Sequence, residues 1–118
     1  MDALYHRYYQ LMYELATSGL FTVLAHPNSL QCYGAYPEGD YREDYVRIAH
    51  RLKEAKMQIE DSSGLAISYG DTRLGMNEVM LKVMLQQKVS ILTVSDAHYP
   101  KDIGRYIKEM NQRILLIQ

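Results

Sequence analysis

The sequence predicts an α/β fold, a parallel sheet covered by helices. Three observations point there: helical and strand-like patterns alternate along the chain, the strand-like runs are short and apolar, and each runs straight into polar residues. At 118 residues the chain suits a single domain, 1–118, with a core of its own. Its 47% hydrophobic and 23% charged content is ordinary for a globular protein and excludes collagen-like, disordered and membrane-spanning classes. No run approaches the ~20 apolar residues needed to cross a bilayer, so no membrane partner is expected. The opening MDALYHRYYQ lacks a signal-peptide layout. Net charge is −1 with no basic block, which disfavours nucleic acid as a partner. Cys32 stands alone, cannot form an internal disulfide, and fits a reducing cytoplasm. Eleven tyrosines against one phenylalanine, with no tryptophan, is an unusual balance.

The elements follow in order. Over 3–17, Tyr5, Tyr8, Tyr9, Met12 and Leu15/Ala16 recur at helical spacing, and Ser18-Gly19 is the stop. Residues 20–25 (LFTVLA) read as a strand that ends at His26-Pro27-Asn28, and 29–39 as a loop holding Tyr33, Tyr36 and Pro37. Asp40 is placed to cap a helix over 41–56, with Val46, Ala49, Leu52 and Ala55 as its apolar stripe. Residues 57–60 form a second strand, followed by the turn Asp61-Ser62-Ser63-Gly64 and a loop through Tyr69-Gly70-Asp71. A third helix covers 77–87 with Val79, Met80, Val83 and Met84 inward, and 89–94 (VSILTV) is the clearest strand. A fourth helix is expected over 101–113, with ILLIQ as a closing strand.

In parallel sheets chemistry sits beyond the carboxyl ends of the strands. Here those ends carry His26, then Asp61-Ser62-Ser63, then Asp96 and His98. On an extended strand end, residues two apart point to the same side, so Asp96 and His98 can converge on one ion. Imidazole with carboxylate suits zinc, manganese or iron. The plainer alternative makes Asp96 a turn cap and His98 a loop residue. His26 gains weight as a ligand only beside that pair. Ser62 and Ser63 offer hydroxyls that can cradle phosphate oxygens, and Arg73 and Lys101 are the loop cations placed to reach an anion. His6 and His50 read as surface residues, and Cys32 as incidental. No Walker-type loop, G-x-S-x-G or C-x-x-C occurs.

The strings VLAHPN, IEDSSGL and VSILTVSDAHYPKDIG stand in an order and spacing that resemble the PHP (polymerase and histidinol phosphatase) family, its histidinol-phosphatase branch above all, from about Tyr8 to Met110. The resemblance implies a partial βα barrel, the C-terminal half of the family fold. It implies divalent metal ions (zinc, manganese or iron) held by His26, Asp96 and His98, and hydrolysis of a phosphate monoester such as histidinol phosphate. The family's H-x-H motif and other N-terminal ligands have no counterpart before Tyr8, and Ala66 stands where the middle turn often carries arginine. Weak or absent activity of this chain alone is therefore expected, completed by a missing N-terminal half or by a partner.

The alternatives are a non-catalytic α/β remnant that packs or oligomerises, and a relative acting on nucleic acid, which the charge disfavours. A homo-oligomer is expected because a half-barrel leaves open strand edges and apolar faces to cover. Tyr5, Tyr8, Tyr9 and Tyr13 are its expected contacts.

Overall fold

The structure, a computed structural model, describes residues 2–33, 37, 39–70 and 73–118. Of the expected loop positions, Tyr36 and Asp71 lie outside the described residues. The strands are β1 (Val23–Leu24), β2 (Gln58–Ser62) and β3 (Ile91–Val94), and the helices are α1 (Asp2–Thr17), α2 (Arg42–Glu54), α3 (Gly64–Tyr69), α4 (Glu78–Gln86) and α5 (Ile107–Ile117). Short 3-10 turns occupy Ser29–Tyr33 and Pro100–Asp102.

The three strands pair in parallel in chain order, with Leu24 opposite Ile59 and Ile59 opposite Ile91. Helix α1 packs on α2, α2 on α4, and α5 against β3. Ile114 and Ile117 of α5 reach the same core as Leu24 and Ile59. Because side chains alternate along a strand, the opposite face carries Glu60 and a substantially exposed Leu92.

This corrects the expected partial barrel. Among the described residues the sheet is open, with β1 and β3 as its edges, and the face that would line a barrel has no packed interior. The closing strand is absent too, because ILLI continues α5. Met110, Arg113, Ile114 and Ile117 fall on one helical face toward the core, which leaves Leu115 and Leu116 outside.

Local signals explain most boundaries. Asn77 caps α4, its side chain accepting from the Met80 amide at 2.9 Å. Asp40 accepts from the Arg42 amide at 3.1 Å just before α2. The loop expected after Gly64 is instead the six-residue α3, ended by Gly70 in the left-handed conformation. In α4 the inward set is Met80, Leu81, Val83 and Met84, while Val79 is 49% exposed. Only Val23 and Leu24 of LFTVLA join the sheet, and Leu20 and Phe21 lie exposed ahead of it.

With no tryptophan, the core takes its bulk from tyrosine and methionine. Tyr5, Tyr9, Tyr41 and Tyr45 are buried as one cluster between α1 and α2, with ring centroids 5.0 Å apart for Tyr9–Tyr45 and 5.5 Å for Tyr9–Tyr41. Each hydroxyl described there is satisfied: Tyr9 with Tyr45 at 3.0 Å, Tyr41 donating to Asp2 at 2.6 Å. Six methionines, Met12, Met57, Met76, Met80, Met84 and Met110, fill the remaining gaps, a use their flexibility suits.

Gly75 shows how tightly the core is set at one point. Its φ is +73°, and a Cβ there would lie 2.2 Å from Asp61 Oδ1. Gly75→Ala is expected to cost roughly 2 kcal/mol or more, combining left-handed strain with the clash. An unchanged denaturation midpoint would show that the segment can shift aside.

Candidate functional site

The carboxyl ends of all three strands open into one cavity of about 390 Å³. β1 delivers His26, with Asn28, Ser29 and Cys32 in the turns that follow. β2 delivers Ser62 as its last residue, and Gly64, Leu65, Ser68 and Tyr69 follow on α3. β3 is followed by Asp96 and His98. Burial and alternation explain why neighbours in the expected polar turn part company. β2 runs on through Asp61 and Ser62, so the two side chains point to opposite sides of the sheet.

Ser62 lines the cavity, and its Oγ accepts from the Gly64 amide at 3.2 Å, which leaves the hydroxyl proton to donate. Asp61 faces the core instead. It is fully buried, accepts from the Met76 amide at 2.7 Å, and receives both of its oxygens' contacts from Arg113 Nη2 at 2.9 and 3.0 Å. Ser63 is buried as well and donates to the Arg105 carbonyl at 2.9 Å. Arg73 lines a different cleft, beside Gln31, Asn77 and Arg113. Lys101 lies exposed in the Pro100–Asp102 turn and is not part of the cavity lining.

His26 is held by its own turn. Its amide donates to Glu60 Oε1 at 3.0 Å, from the open face of the sheet. Ser29 donates its hydroxyl proton to the His26 carbonyl at 2.8 Å and meets His26 Nδ1 with the same oxygen. Across the cavity, Asp96 has φ +51° and packs against Gly64, where a Cβ would sit 3.0 Å from its Oδ2. A left-handed aspartate is tolerable but sparsely populated, and such conformations cluster where side chains must be aimed.

The expected metal site requires correction. Among the described residues, no three His, Cys, Asp or Glu side chains form a group able to hold an ion. His26, Asp96 and His98 share a cavity without forming a ligand set. The physical reason lies in the backbone: β3 stops at Val94 and Asp96 turns left-handed, so the extended geometry that would align Asp96 with His98 does not exist. The donor set does not fit zinc, manganese or iron.

The other histidines stay outside the cavity: His6 pairs with Asp44 at 2.7 Å and His50 meets Gln87 at 3.1 Å, both at the surface. Asn28, Ser29, Cys32, Gly64 and Ser68 were not singled out by sequence as parts of one site. Only Ser29 had a readable signal, a hydroxyl three residues after a histidine at a strand end.

What fold and site define is a class: a small α/β protein with an open parallel sheet and one polar cleft at the strand ends. No protein-family model matches the chain, and no curated protein matches it. The resemblance to the PHP family and its histidinol-phosphatase branch is thereby overturned, since neither a family match nor a barrel nor a metal cluster stands behind it.

Proposed function

We propose that the strand-end cleft binds a small phosphate monoester and hydrolyses it slowly by acid–base chemistry. The observation that carries this reading is the meeting of His26, Ser62, Asp96 and His98, from the ends of three strands, around one cavity. In this reading His26 Nε2 takes a proton from the attacking water. His98 returns one to the leaving oxygen, and Ser62 and Ser68 donate to phosphoryl oxygens. Turnover is slow because no lysine or arginine is among the described lining residues, and phosphoryl transfer depends on cationic stabilisation of its charge.

The same cation-free lining favours a second reading, in which the cleft holds a neutral hydroxylated molecule without turning it over. One experiment separates them. A generic aryl phosphate is expected to be hydrolysed above the buffer rate, insensitively to EDTA, with a loss of about 100-fold in the enzymatic rate on His26→Asn. Binding of the ester without His26-dependent turnover would favour the second reading. Neither binding nor turnover would sink both.

A further inference from the structure

Helix α1 buries one face in the chain's own core through Tyr5, Tyr9, Met12 and Ala16. A second face is left uncovered, with Leu4 49%, Leu11 47% and Leu15 37% exposed and Tyr8 half-buried among them. Positions 4, 8, 11 and 15 alternate steps of four and three, the spacing of a coiled-coil seam about 16 Å long. Beside it runs an apolar groove of about 340 Å³, whose walls include Tyr8, Leu11, Leu15, Leu24 and Ala25. Exposed apolar surface of this continuity is uncommon on a monomer.

The seam has a further property: it is symmetric about its own centre. Read backwards, Leu15, Leu11, Tyr8 and Leu4 keep the same spacing. Its outer flank carries Arg7 and Glu14, both exposed, one heptad apart, and without an ion pair in the chain among the described residues. In an antiparallel helix pair, flank residues of this kind meet like with like positions across the seam, so Arg7 of each copy faces Glu14 of the other. In a parallel pair Arg7 would face Met12, and both ion pairs would be lost. Only a second copy related by a two-fold axis uses a pattern complementary to itself in both apolar residues and charge.

We infer that this face of α1 is a homodimer interface. Two α1 helices pack antiparallel, Leu4 against Leu15 of the second copy and Tyr8 against its Leu11, with the Arg7–Glu14 pairs along one side. His26 and Ser29 line both the groove and the strand-end cleft, so the second copy also closes one flank of that cleft. The interface is independent of what the cleft binds.

The test is sedimentation of the whole chain from 1 to 100 µM. The expected species is a dimer, at twice 13.7 kDa. Leu11→Asp, at an exposed position, should yield a monomer with unchanged circular dichroism. Arg7→Glu or Glu14→Arg alone should each weaken the dimer by roughly tenfold, since each sets like charges together twice. The double reversal should restore it. A single 13.7 kDa species for the unaltered chain would overturn the proposal. So would a dimer indifferent to Leu11→Asp, an assembly larger than two, or a double reversal that fails to recover affinity.

Discussion

Arg113→Met is expected to destabilise the protein by about 3–5 kcal/mol, the range seen when a buried ion pair loses one partner. Asp61 is 0% exposed, and among the described residues its hydrogen bonds come from the Met76 amide and Arg113. Removing the guanidinium strands a carboxylate where water cannot reach it. Arg113 Nη1 also donates to the Met76 carbonyl at 2.9 Å, so the same change frees the loop that carries Gly75 and Met76 from α5. Domains of this size have only about 5–15 kcal/mol in total, so the variant should lie near the edge of folding. Asp61→Asn should cost less, because Arg113 is 26% exposed and can turn to solvent while the amide oxygen keeps the Met76 contact. Combining the two should recover part of the Arg113→Met loss, the non-additivity that marks a direct pair. Urea denaturation of the four proteins measures this. A loss below 1 kcal/mol for Arg113→Met would show that Asp61 reaches water or another donor.

Alkali should unfold the protein with unusual steepness. Burial raises the phenols of Tyr9, Tyr41 and Tyr45 above their ordinary value of 10.0. The hydrogen bond between Tyr9 and Tyr45 raises Tyr9 further, and a hydrogen bond to Asp2 does the same for Tyr41. For Tyr45 the bonds to Tyr9 and Asn77 oppose the burial effect without cancelling it. Above pH 10 the unfolded chain has lost phenol protons that the folded chain still holds. Stability is therefore full below about pH 10 and falls above it until the folded phenols ionise. The slope approaches ~1.4 kcal/mol per pH unit for each tyrosine in that window. Denaturation midpoints at successive pH values from 8 to 12 should show the fall, and Tyr9→Phe should make it shallower. A flat profile through pH 11, or phenolate absorbance from all the tyrosines before unfolding, would contradict the burial of this cluster.

Much of the fold was legible because its signals are local. The apolar periodicities of α1, α2 and α4 each depend on residues within a few turns, and three parallel strands followed from their alternation with helices. The tyrosines show the limit of such reading. Their excess is visible in composition, yet Tyr5 and Tyr9 are used inside the chain against Tyr41 and Tyr45, and Tyr13 lies under Arg47 at 4.6 Å. The face α1 leaves open is leucine, with Tyr8 alone of the four expected tyrosines beside it.

That polar residues would gather at the carboxyl ends of parallel strands was readable from residue order, because strand ends are marked locally and alternation with helices implies parallel strands. Tertiary structure alone decided what that gathering amounts to. Asp61 was drawn to the core by Arg113, fifty-two residues away, and its neighbour Ser62 kept the cleft because adjacent strand residues face opposite sides. Asp96 and His98 lost their common aim when β3 stopped at Val94 and the backbone turned left-handed. Which way a side chain points beyond the last paired residue depends on a loop's dihedrals and on the packing of Asp96 against Gly64. Neither is written in spacing, and so the sequence brought His26, Asp96 and His98 to one place while the tertiary structure withheld from them the geometry of a metal site.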